Sequence, residues 1–284
     1  MATETQAFDR TAQDLGNILM LEHVNVCVPD QQQAVAFYIA GMGFTRDPYI
    51  SVGLDNIWVN IGRQQIHTPT RPHGQRLRGR IHVTVPNLAG LRQRLAAVAP
   101  HLAGTAFGWE DMNGAVEATC PWGNRFVCRE PQTGGAALGI SCVELDAPRG
   151  NAEGIARFYQ QVMYAFATAE DGAAVVSVGE GQTLRFTERD NAPPYDGHHI
   201  AIYVANFSRP HAALERHGVI TEESNEHQYR FVNIFDPASG ETLFELEHEV
   251  RSATHPMFMR ELVNRDAAVT QATYARGGEA LRVG

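Results

Sequence analysis

Four strand-like openings recur along the 284-residue chain at a spacing of about 59 residues, and this near-constant period constrains the fold more than any single motif. They are LEHVNVCVP from Leu21, RIHVTVP from Arg80, GISCVELDAP from Gly139 and HHIAIYVA from His198. Each alternates apolar and polar residues, or is simply β-rich, as a half-buried or fully buried strand requires. A helix-like stretch follows each opening: DQQQAVAFYIAGMG, NLAGLRQRLAAVAPHL, GNAEGIARFYQQVM and FSRPHAALERHG. Asp30 and Asn87 stand where an N-cap is wanted in the first two. Each unit then closes in β-rich text broken by Gly, Asp and Asn, so a repeat reads as strand, helix, then about three strands.

A single βαβββ unit makes a curved sheet with one apolar face exposed, and such a unit has to pair. The expected fold is therefore α+β, with four tandem βαβββ modules forming two curved mixed sheets. The boundaries fall at 1–20 for an N-terminal extension, 21–134 for modules one and two, 139–250 for modules three and four, and 251–284 for a C-terminal tail. QTGGAALG, from Gln132 to Gly139, links the halves. The tail shows mixed polarity without a clear period and is expected to wrap the surface and fray at its end.

Bulk properties narrow the function. At 44% hydrophobic and 19% charged, the chain can bury one large core or two modest ones. A net charge of −9 argues against a nucleic-acid partner, because neutralising phosphates needs clustered Lys and Arg. No apolar run is long enough to span a membrane, and the N-terminal text has no basic-then-apolar leader pattern. Cys27, Cys120, Cys128 and Cys142 form no CxxC pair and are read as reduced thiols rather than a zinc cluster. These features predict a cytoplasmic protein whose partner is a small-molecule substrate, and they are compatible with an oligomer. Covalent nucleophilic catalysis has no support, since GxSxG, P-loop and dinucleotide fingerprints are absent.

HVNVCVPDQQQAVAFY, from His23 to Tyr38, resembles the opening of a glyoxalase-type module: a strand-leading His, an Asp seven residues on, then an aromatic pair in the helix. CPWGNRF (Cys120 to Phe126) and DPASGETLFELE (Asp236 to Glu247) resemble the family's turn and last strand, in which a metal-binding Glu follows the turn. The resemblance is to the vicinal oxygen chelate superfamily, which includes glyoxalases, bleomycin resistance proteins and extradiol dioxygenases. It covers about residues 20–250. It implies one divalent metal ion (Fe, Zn, Ni, Co or Mn) in a cup between two paired modules, each giving one ligand from its first strand and one from its last.

Carried over by residue, the resemblance implies ligands His23 and His67 in module one, and His199 with Glu245 or Glu247 in module four. Modules two and three offer Arg80 or His82, Val127, Cys142 and Arg185 at those positions, a poor set because Arg stays protonated and Val has no donor. This segregation favours pairing module one with four over pairing neighbours. Strand alternation places Glu245, Glu247 and Glu249 on one face, with Glu245 preferred as the ligand. Asn25 and Tyr203 share faces with His23 and His199 and are candidate substrate contacts. His227 resembles the histidine near the metal of extradiol dioxygenases, and Glu245, Glu247 and His227 are the candidate catalytic groups.

Three functions follow from the resemblance. The first is a glyoxalase-like lyase or isomerase acting on a small oxygen-rich substrate that chelates the metal. The second is an extradiol-type dioxygenase that cleaves an aromatic diol on a metal held by two His and one carboxylate. The third is a non-catalytic protein that binds a small molecule in the same cup. Four protein ligands favour the first, three the second, and no metal the third.

Overall fold

A computed structural model describes residues 9–47, 55–132, 135–260 and 262. Module one comprises β1 (Ile18–Asn25), helix α1, β2 (Thr45–Arg46), β3 (Asn56–Ile61) and β4 (Gln64–Pro69). Helix α1 is α-helical over Gln31–Ala34 and continues as a π-helix over Val35–Gly41. Module two comprises β5 (Gly79–Thr84), α2 (Leu88–Val98), β6 (Gly108–Met112), β7 (Ala115–Thr119) and β8 (Arg125–Arg129). Module three comprises β9 (Gly139–Pro148), α3 (Ala152–Gln161), β10 (Ala167–Glu170), β11 (Ala173–Ser177) and β12 (Thr183–Arg189). Module four comprises β13 (His199–Val204), α4 (Ser208–Arg216), β14 (Ile220–Asn225), β15 (Gln228–Phe235) and β16 (Thr242–Ser252). The expected N-caps form: Asp30 accepts from the backbone N–H groups of Gln32 and Gln33, and Asn87 from that of Gly90.

The strands make two eight-stranded mixed sheets. Sheet I runs β14-β15-β16-β13-β1-β4-β3-β2 and sheet II runs β10-β11-β12-β9-β5-β8-β7-β6. Module one therefore shares a sheet with module four, and module two with module three. The seams are antiparallel pairs of first strands, β1 with β13 and β5 with β9. Within each module the first and last strands run parallel, as in β1 with β4 and β13 with β16. At the β5–β9 seam Gly79 adopts φ 146°, and a Cβ there would lie 1.9 Å from the Glu144 carbonyl oxygen, so no other residue fits.

Period-two alternation sends one side of each strand into a single core between the sheets. Val24, Ile66, Ile200, Ile202 and Val250 enter it from sheet I, and Ile81, Phe126, Val143, Leu145 and Phe186 from sheet II. The equivalent aromatic pairs of two helices fill the space. Phe37 and Tyr38 of α1 pack on Phe126, while Phe158 and Tyr159 of α3 pack on Phe231 and Phe186. His248 is also buried here, with its Nε2 2.7 Å from the Tyr159 hydroxyl. The other face of sheet I carries buried polar groups, among them His23, Gln65, His67, Glu249 and Arg251.

The first part of the tail packs against sheet I. Phe258 lies 4.9 Å from Tyr203, Arg260 pairs with the buried carboxylate of Asp47, and Asn60 donates to the carbonyl of buried Leu262. The expectation of a frayed end concerns 263–284, outside the described residues. No helix among the described residues is long and apolar enough to cross a membrane.

Candidate metal centre

Sheet register brings the site together at the seam between β1 and β13. His23 lies opposite Ala201, and Asn25 opposite His199, so each module's leading His falls beside the other's strand. The Nε2 atoms of His23 and His199 are 3.4 Å apart. Glu249 of β16 brings a carboxylate oxygen to 3.7 Å from His199 Nε2. One ligand atom from each of His23, His199 and Glu249 lies within 4.8 Å of the others. With metal–ligand bonds of about 2.1 Å, two ligand atoms sit about 3.0 Å apart at a right angle and about 3.4 Å apart at the tetrahedral angle. The imidazole pair thus already has coordination spacing, and the donor set of two imidazoles and a carboxylate suits a divalent transition metal.

Burial favours the neutral form of these imidazoles. It drives the His23 and His67 pKa values well below the usual imidazole range, with further depression from Arg251 and from neighbouring histidines. His199 is lowered to about 3, by burial first and then by Arg230 and Arg251. Neutral rings keep the lone pair that a metal needs.

The sequence-derived candidates divide. His23 and His199 converge. His67 comes close but points elsewhere: its ring is stacked between His23 at 3.7 Å and Trp58 at 3.8 Å, and its Nε2 is 2.9 Å from Gln65 Oε1. Glu245 is solvent-exposed, lies opposite Asn233 and stays outside the cluster. Glu247 sits beside His199, 3.5 Å from its Nδ1, and is held by Arg230. The carboxylate that joins both histidines is instead Glu249, two residues beyond Glu247. Register explains why Glu249 faces both histidines. His23 pairs with Gln65 and Asn25 with His67 in module one, while His199 pairs with Glu247 and Ala201 with Glu249 in module four. Glu249 is thus the positional equivalent of His67, and Glu247 that of Gln65. The alternation ELEHE puts all three glutamates on one face, and the length of the turn after Asp236 sets which of them reaches the histidines.

Asn25 is buried and pairs in register with both His199 and His67. Tyr203 lies two residues along the same face from Ala201, and its hydroxyl accepts from Arg251 Nη1 at 3.2 Å. It lines a cavity of about 260 Å³ together with Met20, Glu22, Arg63, Met257 and Met259. His227 lies in the turn between β14 and β15, its Nδ1 3.3 Å from Thr254 Oγ1 and 3.4 Å from Ser252 Oγ. Those contacts take it to the end of β16 rather than to the histidine pair.

Sequence reasoning missed the charged frame behind the candidate ligands. Arg251 donates to Glu22 at 2.6 Å and pairs with Glu249, while Arg230 pairs with both Glu247 and Glu249. Arg251 and Glu249 are almost fully buried, so the pairing must offset a large desolvation cost. An arginine on the strand face that carries the carboxylates was the available signal, since Arg230 lies opposite Glu249 in register.

No family model and no curated protein matches the chain. Solved structures do. Glyoxalase I from Zea mays superposes with a TM-score of 0.57 at 12% identity, covering 83% of this chain and 92% of that one. A Bacillus subtilis protein described as a "putative dioxygenase" superposes at 0.56 with 14% identity, covering 84% and 86%. At such identities the likeness establishes the fold alone and leaves the reaction to be argued from the site.

Proposed function

We propose that this chain is a metal-dependent enzyme that binds a small substrate through two adjacent oxygens, on a divalent ion held by His23, His199 and Glu249. The observation that carries the reading is the convergence of those three ligand atoms within 4.8 Å on a buried strand face. Two imidazoles and one carboxylate leave coordination positions for substrate, and this count favours an extradiol-type dioxygenase acting on an aromatic diol, with Fe or Mn, over the four-ligand lyase or isomerase. The metal would supply Lewis-acid polarisation of the bound oxygens and, if redox-active, a path for electrons.

The chain's own residues do the rest. The neutral imidazoles present lone pairs, and Arg230 and Arg251 share Glu249 with the incoming ion, limiting the negative charge at the centre. Tyr203 and the Met20, Met257 and Met259 side chains wall a cavity that also reaches Glu22, the chain neighbour of His23. The net charge of −9 supports a small molecule over nucleic acid as the partner.

One observation favours a second reading. His67 occupies the strand position equivalent to Glu249 and touches His23, so a turn of its ring would complete a four-ligand set for glyoxalase-type chemistry. The test is metal analysis of the purified protein, followed by X-ray absorption on the Fe- and Zn-loaded forms and oxygen uptake with a panel of aromatic diols. Two imidazoles, one carboxylate and diol-dependent oxygen uptake support the dioxygenase. Three imidazoles without uptake support the lyase or isomerase. Failure to bind any divalent metal overturns both and leaves the non-catalytic binding protein.

A further inference from the structure

Glu22 is the residue that the position of β1 makes unusual. The register of β1 on β13 shifts between Leu21 and His23, where two steps along β1 match one along β13. Such a bulge turns two consecutive side chains toward the same side of a strand that would otherwise alternate. Glu22 therefore reaches back to its own neighbour, and its Oε2 lies 2.7 Å from His23 Nδ1. The same Oε2 lies 2.6 Å from Arg251 Nη1. A guanidinium has no lone pair, so this oxygen accepts from Arg251, and as a carboxylate oxygen it can accept from His23 Nδ1–H as well. Glu22 is 3% exposed and His23 1%, so water does not compete for either atom.

From this geometry we propose that Glu22, oriented by Arg251, is a positioning residue that fixes His23 as the Nδ1–H tautomer and aims its bare Nε2 at His199. The inference rests on the metal reading above for its purpose but not for its evidence. An imidazole that donates through Nδ1 has its lone pair on Nε2, and that atom is the one 3.4 Å from His199 Nε2. A carboxylate behind a metal-ligating histidine fixes its orientation and raises its basicity, and removing such a partner lowers metal affinity about 10–100-fold. Arg251 also pairs with Glu249, so one guanidinium steadies two of the three ligands.

The first measurement needs no substitution. Long-range proton–nitrogen correlation on the metal-free full-length chain, labelled with 15N-histidine, should show His23 protonated on Nδ1. A proton on Nε2 would overturn the proposal. The second measurement compares Glu22→Gln and Glu22→Ala with the parent, using calorimetric titration with Zn. Both variants should bind Zn about 10–100-fold more weakly, and the alanine variant should move the His23 proton toward Nε2. Unchanged affinity and tautomer in folded variants would also overturn it, and if neither variant folds, the parent spectrum alone decides. A parent chain that binds no metal yet shows the Nδ1–H tautomer refutes the proposed function while leaving the role of Glu22 in place.

Discussion

The two sheets share one backbone plan and differ in what their outer faces carry. On sheet I, His23, His199 and Glu249 converge behind a frame of buried charges. On sheet II, the same seam of first strands places His82 opposite Cys142, and Val127 stands beside His82 on the last strand of module two. There His82 Nε2 meets Glu144 at 3.1 Å, Glu144 also accepts from Thr187, and Arg129 and Arg189 stand close by. That arrangement is an ion-pair cluster open to solvent at its edge, with its imidazole committed to a carboxylate. The comparison teaches that strand pairing supplies positions, while the side chains at a few of them decide whether a donor set or a salt-bridge cluster results.

The largest expected effect breaks the comparison directly. His23→Ala or His199→Ala should remove most bound metal, whereas His82→Ala on the equivalent strand of sheet II should leave metal content unchanged, as measured by elemental analysis of metal-reconstituted protein. Next in size is the buried frame. Arg251→Met should destabilise the fold by about 3–5 kcal/mol, because Glu22 and Glu249 lose a buried partner. Arg189→Met on sheet II, where the guanidinium is half exposed, should cost less than about 1 kcal/mol in the same urea titration.

A third prediction uses pH to isolate sheet II. The hydrogen bond from His82, reinforced by Thr187 and opposed by burial, holds the Glu144 pKa at about 2, below its ordinary 4.5. A depressed carboxylate contributes its stabilisation above about pH 4.5, and that contribution is lost as pH falls toward 2. After allowance for solvent screening this amounts to about 1–2 kcal/mol. Urea denaturation at pH 5 and pH 3 should show the loss in the parent chain and a smaller one in Glu144→Gln. The smallest effect sharpens the register argument. Glu245→Gln should leave Zn affinity unchanged, while Glu249→Gln weakens it at least tenfold. Equal effects at the two positions would mean that the strand count is wrong.

The period of the four openings, the pairing of helix aromatics and the segregation of donors into modules one and four were legible because each is a property of residue type at fixed spacing. Their outcome in the fold is direct: Phe37–Tyr38 and Phe158–Tyr159 fill one core, and β1 meets β13. Glu249 escaped because the turn beyond Asp236 has no fixed length, and a shift of two residues keeps a side chain on the same face. Glu22 escaped for a different reason. Alternation puts it on the face opposite His23, and only the bulge in β1 brings the two together. His67 lay at an equivalent position but turned to Gln65 and Trp58, a choice of rotamer that no pattern of residue types encodes.

The pairing of the first module with the last has a consequence for how the protein is made. His23 and His199 are separated by 176 residues of chain. During synthesis, module one leaves the ribosome with the seam edge of β1 unpaired, and its partner strand is the first of the last module to emerge. Modules two and three, adjacent in sequence, can close sheet II meanwhile. Such long-range strand pairing is slow to form and leaves an edge open to wrong partners until it does. The two imidazoles and the Glu249 carboxylate thus cannot meet until module four has been made.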